Sequence, residues 1–455
     1  MEPELYYPLD GVSDYLIRHC KLAPHFGKGK VANHGPPDHL MPEAFKRFRE
    51  LSGHTITSPS DFEFDATILH PATGSALILL RGPAASCLSR NFGQGLSVKG
   101  TSAEGPFELV CPNYHVQSTS ERSSDSSWAI ARSVNGPITI RYGEDRPIAH
   151  VRVLINNFDF EYGNVRPTAD DVTGREVLRV EAAGRMVEFT WRENHKELRR
   201  LVNCEVLRTT ALVSFAFDAW PDGSEAELSA FAFHVASLCS VAAKQHTGIP
   251  TISFLDGAGQ VVRRLLIDPV ESAFRPGGVF DCPHFEDALP QLFHDCFSEH
   301  VRMQGSKLWS RLPLFSAAAE DPPYLEQKAA TLMAAIELLL RSTLVERAFY
   351  TLEDAECMTL VLLVGAARGK LGWELPKHYT RKARHGHLRN AVAHGNELPF
   401  SADSVRHDFD KWHLFLLRRL LMRMGFTGKV TSPENGWAST SPIDDFSESK
   451  NSFNA

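Results

Sequence analysis

Between Phe62 and Asp218 apolar residues come in short runs or alternate with polar ones, as in FEFDATIL, SALILL, ITIRY, HVRVLI, EVLRVEA, MVEFTW and ALVSFAF. A period of two places alternate side chains on opposite faces of an extended chain, so these runs predict β-strands. Ala183-Gly184 lies between two of the runs, and Asn135-Gly136 and Asp222-Gly223 flank others, which is the turn chemistry of antiparallel hairpins. A β-sandwich or related all-β domain is expected. Residues 224–243 (SEAELSAFAFHVASLCSVAA) predict a helix. Pro250–Leu255 and Val261–Ile267 predict a strand pair around Asp256-Gly257 that closes the same domain.

After about Phe285 the period changes. Leu325, Ala329, Leu332, Ile336, Leu339 and Leu340 recur at helical spacing, with Glu326, Lys328, Glu337 and Arg341 among them. A second stripe, Val405, Phe409, Trp412, Leu416, Leu420 and Met424, runs through Ser401 to Met424, and Leu352–Ala367 and Thr380–His394 are read as further helices. The expected architecture is therefore α+β and multidomain. Residues 1–60 form an irregular lead-in with one amphipathic piece at Glu43–Leu51, standing either alone or as part of the β-domain, 61–284 a β-rich, sandwich-like domain, 285–428 an all-α helical bundle, and 429–455 a disordered tail poor in apolar residues.

The 455 residues are 43% hydrophobic and 23% charged, a globular composition, and Lys plus Arg at 48 against Asp plus Glu at 55 leaves a net charge of −7. Any nucleic-acid site must then be a local basic patch. Eight cysteines without a C-x-x-C pair read as reduced thiols. The start, MEPELYYPLDGV, has no basic stretch followed by an apolar run, and the longest apolar run, Cys357 to Ala367, is too short to span a bilayer. A cytoplasmic protein with no membrane partner is expected. Cys282, His284, His294 and Cys296 form a C-x-H…H-x-C pattern, but single-residue spacing departs from that of structural zinc sites, so no metal or cofactor is assigned. P-loop, G-x-S-x-G, H-E-x-x-H and Rossmann signatures are missing from the chain, which argues against nucleotide and serine hydrolysis.

The segment that carries chemistry is HGHLRNAVAHGNELP, His385 to Pro399. It reads as a helix end stopped by Gly395-Asn396 and Pro399. At about 100° per residue Asn390 and His394 share a face, and Arg389 reaches round from about 140° away. Ala391 and Ala393 leave the polar groups unshielded. A histidine in the last turn faces the negative end of the helix dipole, which favours the imidazolium, able to donate a proton to a leaving oxygen. Arginine binds phosphate through two parallel hydrogen bonds and offsets the charge that builds in its transition state. Lys377, Arg381, Lys382 and Arg384, with Tyr379 and His385, form a basic run suited to an RNA backbone.

Leu388 to Gly395, LRNAVAHG, resembles the R-x(4–6)-H signature of HEPN domains, the small helical domains of prokaryotic toxins and defence nucleases. With a long β-rich region ahead of it, including VLINNFDFE at Val153–Glu161, the chain resembles ApeA-type anti-phage proteins. The resemblance implies a metal-independent endoribonuclease acting by abortive infection, with transfer or messenger RNA as substrate. It assigns Arg389 and His394 to catalysis and Asn390 to the polar position after the arginine. An acidic residue on an earlier helix is also implied, for which Glu337 is the candidate and Glu326 the reserve. It further implies a homodimer with apposed motifs and a phage-derived trigger sensed or restrained by the β-region. The alternative is a non-catalytic RNA- or protein-binding sensor that uses the helices to dimerise.

Overall fold

The computed structural model describes residues 50–57, 60–69, 77–81, 96–102, 105–111, 114–120, 128–133, 137–159, 168–169, 176–192, 195, 211–267, 288–319, 324–376, 402–431 and 440–442. They form a mixed α+β protein of antiparallel strands and helices. The chain divides into two compact units. The first comprises Met1–Asn156, Phe189–Ser229 and Gly248–Phe274; the second comprises Asn157–Glu188, Ala230–Thr247 and Arg275–Ala455.

The early strands are β1 (Glu50–Thr57), β2 (Ser60–Leu69), β3 (Leu77–Arg81), β4 (Leu96–Ser102), β5 (Gly105–Cys111), β6 (Tyr114–Ser120), β7 (Trp128–Ser133), β8 (Ile138–Tyr142) and β9 (His150–Ile155). They are followed by β10 (Thr168–Ala169), β11 (Glu176–Ala182), β12 (Arg185–Trp191), β13 (Val213–Asp218), β14 (Thr251–Leu255) and β15 (Val261–Leu266). In the first unit the strand order is β13-β9-β14-β15-β8-β5-β4-β1-β2-β3-β7-β6. Each strand run read from the alternation overlaps one of these elements, SALILL from Leu77 and ALVSFAF from Val213. Of the two readings of residues 1–60, the end of that stretch joins the sheet, because β1 pairs with both β2 and β4. Glu50 and Leu51, expected in an amphipathic piece, belong to this strand.

The register explains the burial. In β8 and β13 alternate residues are buried, Ile138, Ile140 and Tyr142 in one and Val213, Phe215 and Phe217 in the other. All five residues of β14 are buried, so its polar side chains need partners inside the protein. Ser253 accepts from Nε of Arg264, itself on β15, at 3.1 Å. The Asp256-Gly257 turn joins β14 to β15 as expected: Asp256 Oδ1 accepts from the backbone N–H groups of Ala258 and Gln260, and Oδ2 pairs with Arg146. Asp222-Gly223, read as hairpin chemistry, instead leads from β13 into a helix, with Asp222 at φ 61°.

In the second unit β10, β11 and β12 are neighbours, and Ala183-Gly184 makes the β11–β12 turn with both residues at positive φ, 52° and 74°. Its helices are α1 (Glu225–Ala243), entering from the first unit at Ala230, then α2 (Ala288–Gln304), α3 (Leu312–Ala318), α4 (Leu325–Glu346), α5 (Leu352–Cys357), α6 (Leu360–Leu371) and α7 (Ala402–Arg423). α2 packs on β11, and α4 packs on α3, α5, α6 and α7. The α4 stripe is the centre of this core: Ala329, Leu332, Ile336, Leu339 and Leu340 are all buried. Each such leucine contributes about 1.5–3 kcal/mol by leaving water. The α7 stripe Phe409, Trp412, Leu416, Leu420 and Met424 is buried as its spacing requires.

Leu352–Ala367, read as one helix, is two. Met358 is extended at ψ 135°, and Thr359 caps α6 by accepting from the Leu362 N–H, as Thr351 caps α5 at Asp354. A serine-type cap at the break satisfies donors that a continuous helix would have used. Within the segment read as a tail, β16 (Lys429–Thr431) pairs with β17 (Thr440–Pro442). Among the described residues α1 is long and apolar enough to cross a membrane by length and composition, and over half of that stretch is buried inside the protein. Its burial is that of a core helix.

Candidate functional site

The motif residues Arg389, Asn390 and His394, the basic residues Lys377, Arg381, Lys382 and Arg384, and the expected helix at Thr380–His394 lie outside the described residues. Both chain ends that lead to them are fixed. On the incoming side, after Gly372 ends α6 in the left-handed conformation, Trp373 and Leu375 are buried. Trp373 meets the edge of Phe415 on α7 at 5.9 Å, and the Arg419 guanidinium stacks 4.4 Å over its ring. On the outgoing side α7 is held by fully buried Trp412, whose ring also meets Phe415 edge-on. In sequence the segment that contains the motif lies between the chain just past α6 and α7, which pack together at Trp373 and Phe415.

Glu337 sits on α4 with its side chain 15% exposed. Its carboxylate accepts from Arg341 Nη2 at 2.9 Å, one helical turn on, and Arg341 Nε donates to the Ala355 carbonyl at 3.0 Å. The pair therefore ties α4 to the last turn of α5, where the Ala355 carbonyl also accepts from the Met358 N–H. Chemically this offers a carboxylate already turned toward a guanidinium, with a clear structural use. Glu326 lies in the first turn of α4, and its side chain is outside the described ones.

The described half of the zinc pattern does not converge on one point. His294 and Cys296 are two residues apart on α2, which puts them on nearly opposite faces: the His294 side chain is 71% exposed and bonds Asp295, while Cys296 is fully buried. Burial raises the Cys296 thiol far above its ordinary value, with the Asp295 charge adding to the effect. Cys282 and His284 lie outside the described residues. Among the described residues no group of three or more His, Cys, Asp or Glu could hold a metal ion.

Two polar clusters escaped the sequence reading. In one, Arg423 at the end of α7 bonds Glu299 of α2 and Glu346 of α4, and lies 5.2 Å over Trp309. The hydrogen bond from Arg302 and the Arg423 charge hold Glu299 below the usual carboxylate range, against a smaller opposing effect of burial. In the other, the Gln304 amide nitrogen donates to Ser237 Oγ at 2.6 Å and meets His300 Nε2 at 3.1 Å, while its oxygen faces His234 Nδ1. His300 is fully buried, and burial, helped by nearby His234, pushes its pKa down to about 3. Sequence spacing could have paired His300 with Gln304, four apart on one helix face, but not with α1 more than sixty residues earlier.

Comparison with known protein families, curated proteins and solved structures yields no match.

Proposed function

We propose that the chain is a cytoplasmic, metal-independent endoribonuclease of prokaryotic anti-phage defence, whose helical second unit carries a HEPN-type site and whose β-rich region senses or restrains it. The observation that carries this reading is the R-N-x-x-x-H-G sequence at Arg389 to Gly395, with a basic run ahead of it, in the stretch between α6 and α7. A motif of this kind needs a rigid frame to hold a cation and an imidazole together, and buried Trp373 and Trp412 supply one on either side.

In the reaction the ribose 2′-oxygen attacks the adjacent phosphorus, forming the O2′–P bond as the P–O5′ bond breaks. The 2′-hydroxyl proton passes to solvent, and His394 donates its proton to the leaving O5′. Arg389 holds the non-bridging oxygens and offsets the charge on the pentacoordinate phosphorus, with Asn390 orienting the group. Lys377, Arg381, Lys382 and Arg384 hold the backbone of the transfer or messenger RNA. A homodimer that apposes two motifs and a phage-derived trigger complete the proposal.

One observation favours the binding alternative: Glu337, proposed to orient the motif, is already engaged in holding α4 to α5 through Arg341. The test is phage plaque formation and total-RNA integrity in cells carrying the wild type or Arg389→Ala/His394→Ala, each at checked folded level. Protection with RNA fragmentation in the wild type alone is expected. Equal protection by both proteins would leave a non-catalytic binding sensor.

A further inference from the structure

The last turn of α2 is the least anchored part of that helix. Leu289, Leu292, Phe293, Cys296 and Phe297 are buried along the rest of it, and Phe297 packs against Phe231 of α1 at 5.3 Å between ring centres. Further on, Val301 and Gln304 are half-buried, Arg302 and Gly305 are exposed, and only His300 and Met303 are buried. A helix end with few apolar contacts opens at a lower free energy than the core around it. Its polar tie to α1 is one amide. Gln304 Nε2 donates to Ser237 Oγ at 2.6 Å and meets His300 Nε2 at 3.1 Å, and Gln304 Oε1 lies against His234 Nδ1. All four side chains belong to the second unit.

These bonds admit one placement of protons. An amide oxygen only accepts, so His234 Nδ1 carries a hydrogen. An amide nitrogen only donates, and its two hydrogens go to Ser237 and His300, so His300 Nε2 is bare and the ring hydrogen sits on Nδ1. That Nδ1 is buried without a hydrogen-bond partner. A second proton on His300 must enter at Nε2, where it meets the Gln304 N–H. Turning the amide over does not remove the conflict, because its N–H then faces the N–H of His234.

Of the titratable groups on elements packed against α2, His234 is the one that acts on the ring. Arg179 and Glu181 of β11 are exposed, and the Glu176 side chain lies outside the described ones. Arg423 of α7 is taken by Glu299 and Glu346, Arg302 by Glu299, and Asp295 accepts from Thr427. Cys239 of α1 and Cys296 of α2 are buried thiols. No acid among these offers His300 a counter-charge.

We propose that His300 and Gln304 form an acid-sensitive latch, in which a proton on His300 releases Gln304 from α1 and lets the last turn of α2 open. Opening moves the ring from a buried place, where its pKa is about 3, into water, where it is near 6.5, so the open form gains the proton first. The latch is therefore fully closed above about pH 6.5 and is progressively lost as pH falls toward 3. It is a local event at one helix end, and it rests on α1 and α2 alone, not on the nuclease reading.

The test is hydrogen exchange of the full-length chain at pH 7, 6 and 5, corrected for the chemical exchange rate, with the α4 amides from Ala329 to Leu340 reporting opening of the core. The amides from Val301 to Gly305 are expected to exchange faster than those of α4, with an opening constant that rises about twentyfold from pH 7 to pH 5. His300→Leu has no proton to gain and abolishes the rise. Gln304→Glu abolishes it by another route, because a carboxylate accepts from both histidines and holds the protonated ring in place. Exchange of the α2 end only together with α4, a rise that persists in His300→Leu, or one that persists in Gln304→Glu each overturns the proposal. No readout involves RNA, so this result and that of the nuclease test stand apart.

Discussion

Replacing His300 by leucine is expected to make the chain more resistant to acid. His300 is fully buried on α2, and its Nε2 accepts from the Gln304 amide, which leaves the ring proton on Nδ1, where it has no hydrogen-bond partner among the described residues. A second proton would have to sit on Nε2, breaking that bond and placing a charge in the core near His234. Burial first, and His234 second, therefore push the pKa to about 3, from an ordinary value near 6.5. The unfolded chain binds this proton more readily than the folded one, so stability falls as pH drops below about 6.5 and goes on falling until about pH 3. Between pH 7 and pH 5 the loss from this one group is about 2 kcal/mol. Leucine fills the buried space and leaves Gln304 its bonds to Ser237 and His234. Denaturant unfolding of wild type and His300→Leu at both pH values measures the difference directly. The variant is expected to lose about 2 kcal/mol less than the wild type on acidification. Equal losses would refute the assignment of a neutral buried imidazole.

Arg341→Ala removes both the pair with Glu337 and the bond to the Ala355 carbonyl, in side chains only 21% and 15% exposed, and is expected to cost about 1–3 kcal/mol of unfolding free energy. Glu337→Gln keeps the hydrogen bond to Arg341 and costs about 1 kcal/mol or less, so a large loss of RNA cleavage at unchanged stability would assign Glu337 to the site rather than to the frame. Gly184→Val puts a β-branched residue at φ 74° and is expected to destabilise by about 1–2 kcal/mol, whereas Ala183→Asn at φ 52° gains up to about 1 kcal/mol. Thermal unfolding distinguishes the two signs.

The sequence made most of this fold readable where one physical rule acted alone. Strict alternation exposed β8, β9 and β13, and the α4 stripe from Ala329 to Leu340 and the α7 stripe from Phe409 to Met424 emerged because one helix face packs inward there. β4 (LSVKGTS) and β6 (YHVQSTS) went unread, since glycine and small polar residues dilute the alternation, and a bulge between Val116 and Ser118 shifts the period within β6. The α5–α6 break was hidden because the apolar residues keep helical spacing across it while a threonine cap, a single side-chain bond, decides the boundary. The α+β composition of the fold was legible. For the candidate site, Glu337 and Arg341 are neighbours by helical spacing, but that the pair reaches the Ala355 carbonyl depends on how α5 packs, which no local pattern carries. His234 and His300 meet for the same reason only in three dimensions, through Gln304.

The central claim is that Arg389 and His394 cleave RNA without a metal. The direct measurement is incubation of the purified full-length chain with end-labelled transfer and messenger RNA in excess EDTA, beside Arg389→Ala and His394→Ala, with the trigger supplied as lysate from phage-infected cells. The account predicts fragments ending in 2′,3′-cyclic phosphate from the wild type, and a loss of about a hundredfold or more from either substitution with unfolding temperatures unchanged. RNA left intact by the triggered wild type, or cut equally by the variants, would contradict it.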